Sequence, residues 1–118
     1  MATTNLDYLR SICDDDQRFM KEMIVTFLEL TPMLIAQMQI LAKEQKWQEL
    51  SKTAHQLKPS LQFMGMDATR NTVRELEDYC SLSPDYSVVS KSINKIGEAC
   101  KIAFSELNGV MKNGFVSV

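Results

Sequence analysis

The chain has 118 residues, 45% hydrophobic and 24% charged, which suits a single globular domain over 1-118 with a core of its own. A net charge of −2, with no lysine/arginine cluster longer than a pair, excludes a broad basic footprint for nucleic acid. No run of about 18 apolar residues predicts a membrane span, and an N-terminus that is neither basic nor followed by an apolar block does not read as a signal peptide.

Leu6, Leu9 and Ile12 predict a short first helix capped by Thr4 or Asn5. Asp14, Asp15 and Asp16 suit the start of a second helix, where carboxylates meet the positive end of the dipole. With no adjacent glycine or further ligands at loop spacing, capping is a better reading of these aspartates than a cation site. From Phe19 to about Glu44 the residues Met20, Met23/Ile24, Phe27/Leu28, Thr31, Leu34/Ile35, Met38 and Leu41 keep helical period. Pro32 falls inside that run without breaking its phase, so one long kinked helix is expected rather than two. A third helix runs from about Trp47 to Met64 and stops at Gly65, and Asp67 is placed as the cap of the fourth.

The fourth helix shows Thr69, Val73, Leu76 and Tyr79/Cys80 on one face. Ser83-Pro84 reads as the N-cap and first position of the last helix, whose seam is Val89, Ile93, Ile96, Cys100, Ala103, Leu107 and Val110. The tail from Asn113 is expected to fray. Cys13, Cys80 and Cys100 are far apart with no Cys-x-x-Cys, and read as reduced thiols of a cytoplasmic protein, the last two buried. Most of the eight methionines sit on seams as gap-fillers. No stretch alternates with period two for long enough to form a strand, and no glycine-rich phosphate loop marks a nucleotide site. The fold expected is all-α, an antiparallel up-down four-helix bundle with a short extra N-terminal helix.

Within the third helix stands the single histidine, His55. Trp47, Leu50, Ala54, Leu57, Leu61 and Met64 form that helix's apolar seam, centred roughly 130° from His55 at ~100° per residue. The imidazole is therefore expected to point into solvent. Ser51 and Lys52 lie one turn before it, Lys58 and Pro59 one turn after, and Gln62 two turns on. Pro59, Phe63 and Met66 fall within roughly 20° to 80° of it on the wheel, if the helix runs that far. An exposed phenylalanine beside a reactive group suggests a docking patch; the competing reading is that Phe63 covers the first helix. A metal-ligand role for His55 fails for want of a second histidine or a facing cysteine pair.

Ala54-His55-Gln56-Leu57-Lys58, followed by Ser60 and by Gly65 ten residues after the histidine, resembles the signature of histidine-containing phosphotransfer (HPt) domains, Ala-His-x-Leu-Lys-Gly-Ser. Phe27-Leu28-Glu29-Leu30-Thr31-Pro32 and Trp47-Gln48-Glu49-Leu50 look like that family's preceding helix and its entry to the histidine helix, so the resemblance covers roughly residues 5 to 110. It implies that His55 accepts a phosphoryl group from the aspartyl-phosphate of a receiver domain and passes it to another receiver. It also implies that Lys58 stabilises the phosphoryl oxygens and Gly65 ends the helix. On this reading the receiver docks over Ser51, Lys52, Pro59, Gln62, Phe63 and Met66. The chain itself binds no metal or cofactor; the magnesium and the second reactive carboxylate come from the receiver.

One residue departs from the signature: Pro59 stands where the family has glycine. Proline removes the N–H that would bond the carbonyl of His55 and disfavours the α region for Lys58. The seam nevertheless stays in phase from Ala54 through Leu57 to Leu61, which favours a bend over a break. The chemistry suits the residues. Phosphoryl transfer has a loose transition state served mainly by position and charge, and a neutral imidazole nitrogen is a competent nucleophile near pH 7. Lys52 and Lys58 are expected to favour that neutral ring. The alternative is a helical protein-interaction module that keeps the fold with His55 idle. No leftover apolar seam demands a dimer, so a monomer is expected.

Overall fold

The computed structural model describes residues 3–114. Five helices follow one another: α1 Asp7–Ile12, α2 Gln17–Lys43, α3 Trp47–Phe63, α4 Asp67–Tyr79 and α5 Tyr86–Asn113, with no strand among the described residues. Three-residue turns at 44–46 and 64–66 leave α2, α3 and α4 no arrangement but antiparallel neighbours. α2 packs on α3 and α5, α3 on α4, and α4 on α5, closing an up-down four-helix ring. At 1.5 Å per residue the 28 residues of α5 span about 42 Å, close to the molecule's 46 Å long axis.

The predicted seams are the core. Ile24 and Met38 from α2, Leu50, Leu57 and Leu61 from α3, Val73 from α4 and Ile93, Ile96 and Leu107 from α5 are all essentially without exposure. α2 runs unbroken through Pro32. All three cysteines are buried thiols, and burial holds Cys100 up to about 11, so it stays protonated. α2 does pass the length and composition test for a membrane span, against the sequence expectation. The cause is its exposed Val25, Leu30, Met33 and Ile40, added to a seam already buried in the bundle. One such helix is also what a bundle core helix looks like, and it does not by itself indicate a span.

Helix ends follow local chemistry, with three adjustments. Asp16 caps α2 as expected, its carboxylate accepting from the N–H groups of Arg18 and Phe19. At α1 the cap position is Leu6, while Asn5 Oδ1 accepts from the Asp7 N–H at 2.9 Å. Asp67 is the first residue of α4 rather than its cap, since the chain enters through Met66 with no side-chain cap. The last helix starts two residues later than Ser83-Pro84 suggests. Asp85 takes the cap by accepting from the Ser87 N–H at 2.7 Å, and Ser83 sits at φ +53° in the turn before it. The fraying expected of the tail falls mostly on residues 115–118, outside the described residues.

The segment before α1 is tied down at both ends of its path. Glu106 on α5 accepts from the N–H groups of Thr3 and Thr4 and from the Thr4 hydroxyl. The Asn5 N–H donates to the Met64 carbonyl at 3.0 Å, where α3 ends. Gly65 makes this possible: its φ is +67°, and a Cβ there would strike the Asn5 carbonyl and lie 2.8 Å from Asn5 N and Cβ. The turn that stops the histidine helix is thus also the seat of the N-terminal segment.

Candidate functional site

α3 carries the seam Leu50, Ala54, Leu57 and Leu61 inward, each with no exposure, and that orientation turns His55 outward. Its side chain is 69% exposed. Pro59 does not end the helix; Lys58 remains helical and the run continues to Phe63, so the helix is not broken there. His55, Lys58, Pro59 and Gln62 consequently form one stripe on α3.

α4 faces that stripe with a residue the sequence analysis did not single out. Glu77 Oε1 lies 3.2 Å from His55 Nδ1, and Glu77 Oε2 lies 2.8 Å from Lys58 Nζ. The carboxylate is 20% exposed and the lysine 22%. Oε2 is buried and, among the described residues, has no partner other than that ammonium. Burial pushes the Glu77 carboxyl up, but hydrogen bonds from Lys58 and His55 together with their charges outweigh it and hold it below the usual glutamate value. It is therefore ionised near neutral pH, and an ionised carboxylate can only accept. The ring proton is thereby assigned to Nδ1, which leaves the Nε2 lone pair for chemistry.

A legible signal for Glu77 exists. An antiparallel hairpin turning at 64–66 puts residues about equally far from the turn near the same level, and Glu77 falls within about 3 Å along the axis of the level that such counting gives for His55. It also adjoins Leu76, the seam residue that keeps α4 against the bundle.

The other expected residues separate into two groups. Pro59 and Gln62 are exposed and, with His55, Lys58, Arg70 and Arg74, line an open hollow of about 340 Å³ between α3 and α4. Lys52 is exposed and lies outside that lining. Ser51 is half-buried and its hydroxyl donates to the Glu77 carbonyl at 3.2 Å, so it ties the histidine helix α3 to α4. Phe63 is half-buried and stacks on Tyr8 of α1, with ring centroids 6.1 Å apart, which favours its reading as a cover for the first helix. It also borders an apolar hollow with Phe19 and Met23. Met66 is a correction: it is 2% exposed, in the core. The wheel places it outside only if α3 continues, and the left-handed Gly65 turns the chain inward first.

The model of the Hpt domain family matches residues 22–107, most of the chain, a span that includes His55, Lys58 and Glu77. The chain belongs to the Hpt domain family. Comparison with curated proteins and with solved structures found no significant match. Hpt domains are phosphotransfer modules of two-component signalling that work with receiver domains and carry no ATP site of their own. Among the described residues, no group of three or more His, Cys, Asp or Glu side chains is placed to hold a metal ion.

Proposed function

We propose that this Hpt domain is a phosphorelay carrier: His55 takes a phosphoryl group from a receiver's aspartyl-phosphate and hands it to the aspartate of another receiver. The observation that carries the reading is an imidazole that is mostly in solvent yet held at Nδ1 by a buried-edge carboxylate. In the forward step Nε2 forms the N–P bond while the P–O bond to the receiver's aspartate breaks, and the electron pair leaves with the aspartate carboxylate. No proton need move: Nδ1 keeps its hydrogen, the ring becomes cationic, and Glu77 sits 3.2 Å from that charge. The reverse step regenerates the neutral ring.

Glu77 and Lys58 act first as a positioning pair. They fix the tautomer and rotation of the ring before the receiver arrives, so less freedom is lost in reaching the transition state. Lys58 also lies one turn from the histidine, but Glu77 at 2.8 Å offsets most of its ammonium charge, so it adds little to the field around the transferred group. Pro59 and Gln62 form the exposed rim that a receiver meets, with Lys52 outside the hollow. We place the protein in the cytoplasm as a monomer, with magnesium supplied by the receiver.

The test is incubation with a phosphorylated receiver, followed by assay for acid-labile, base-stable label. Wild type is expected to take up label and His55→Gln none. Absence of label on the wild type with every receiver tried would instead favour an interaction module with an idle histidine.

A further inference from the structure

Lys58 is the α3 cation that lines the hollow, and its charge is already met at 2.8 Å by Glu77; Lys52, one turn before His55, lies outside that lining. The pair is close to neutral as seen from the hollow. A phosphoryl group on His55 carries up to two negative charges there, so the charge that balances it must come from elsewhere. α4 supplies two candidates. Arg70, Arg74 and Glu77 follow one another at spacings of four and three, so they share one face. With Glu77 level with His55, each turn back along α4 matches a turn forward along α3, which sets Arg74 across from Lys58 and Pro59, and Arg70 across from Gln62. Both arginines line the 340 Å³ hollow with His55. Among the described residues neither guanidinium has an ion pair or hydrogen bond. Two uncommitted forks beside a nucleophile form a cleft of one sign, suited to a tetrahedral dianion that each can grip through two N–H groups.

We infer that Arg70 and Arg74 form the anion subsite that holds the phosphoryl group once it is on His55, while the Lys58–Glu77 pair positions the ring. This rests on the phosphocarrier reading and names the residues that carry the charge in it. The two are unequal. Arg70 also borders a neighbouring hollow with Asp7 and Asp67, whose carboxylates offset part of its field, so Arg74 carries the larger share.

The test needs no receiver. Phosphoramidate, a small phosphoryl donor that releases ammonia as the N–P bond forms, is used to phosphorylate the full chain. The ionisation of the attached phosphoryl group is then followed by phosphorus NMR as pH is varied. The charged groups around it are Lys52 and Lys58 from α3 and Arg70, Arg74 and Glu77 from α4, and Lys52 is unchanged in every variant compared. Arg74→Gln is expected to raise the phosphoryl ionisation by about 0.5 to 1 pH unit, Arg70→Gln by less, and the double variant by more than either. Adding 0.5 M salt should shrink those differences. The paired change Lys58→Met with Glu77→Gln removes a neutral couple and is expected to shift it by under about 0.2 unit. A double arginine variant that titrates like the wild type, or a paired variant that shifts as far as Arg74→Gln, overturns the inference. So does a wild type that phosphoramidate leaves unlabelled at His55. Receivers that fail to label a chain whose arginine variants still shift would sink the carrier reading alone.

Discussion

Replacing Glu77 with alanine removes in one step the acceptor of the His55 Nδ1 proton and the counter-ion of Lys58. Hydrogen bonds that involve a charged partner contribute about 1.5–3 kcal/mol, and the bond at 3.2 Å between Nδ1 and Oε1 is one of these. If it holds the reactive tautomer in the transition state, its loss should slow phosphorylation by about 10- to 150-fold. Folding should suffer less: the pair is about a fifth exposed, so its net worth is nearer 1–2 kcal/mol. The assay is single-turnover transfer from a phosphorylated receiver at pH 7, with urea unfolding run on the same samples. Glu77→Gln keeps an amide oxygen that can accept from Nδ1 and should stay within about fivefold of wild type. A Glu77→Ala chain that transfers within twofold of wild type while unfolding at lower urea would show that the carboxylate supports the hairpin and does nothing for the ring.

The remaining predictions concern stability. Gly65→Ala must enter the left-handed region, at about 1–2 kcal/mol, and must push Asn5 from the Met64 carbonyl, at about 1 kcal/mol more. Thermal melting should fall by roughly 8–12 °C, and a change under about 2 °C would refute the crowding argument. Glu77 and Glu106 are both acidified: burial raises each, and hydrogen bonds from Lys58 and His55, or from Thr3 and Thr4, overcome it. Their folded values lie below the usual 4.5, so their contribution is complete above that pH and is lost as pH falls through the folded values. Urea midpoints measured from pH 6 down to pH 3 should drop, and drop less steeply in Glu106→Gln; equal slopes would contradict the assignment. Pro59→Ala restores an N–H to the helix interior and should raise stability by about 1–3 kcal/mol, read as a higher urea midpoint at unchanged slope.

The helices and their inward faces were legible because a bundle is specified by periodic burial, and each seam from Met20 to Leu107 repeats at three and four. Helix starts were less so, because several residues compete for one cap. Asp85 wins over Ser83 by standing where its carboxylate meets the Ser87 N–H, whereas Asp67 lies one residue past the position from which a side chain can cap. His55 and Lys58 were visible because they are local to one helix. Glu77, Arg70 and Arg74 sit on another helix and become neighbours only when the 64–66 turn sets the register. Met66 failed for the same reason in reverse: a wheel drawn for α3 has no meaning past a left-handed glycine.

Pro59 shows how those levels decide one another. A proline inside a helix costs about 3 kcal/mol through the lost hydrogen bond and the clash with the preceding turn, and it biases Lys58 away from helical angles. Against that stand Leu61 and Met64 just beyond it, at 0% and 1% exposure, each contributing about 1.5–3 kcal/mol by burial. Ending the helix at Lys58 would rotate both out of phase with the core, at a cost equal to or above what the proline imposes. The helix therefore continues to Phe63. Because it continues, Gln62 stays in line with His55, and the floor of the hollow extends far enough to face Arg70 as well as Arg74. The His55 carbonyl loses its donor four residues on, and it does so on the exposed side of α3, where water or an incoming receiver can supply one. Core packing just beyond the proline thus settles both the reach of the cationic cleft and the loss of the usual helical donor to the His55 carbonyl beside the nucleophile.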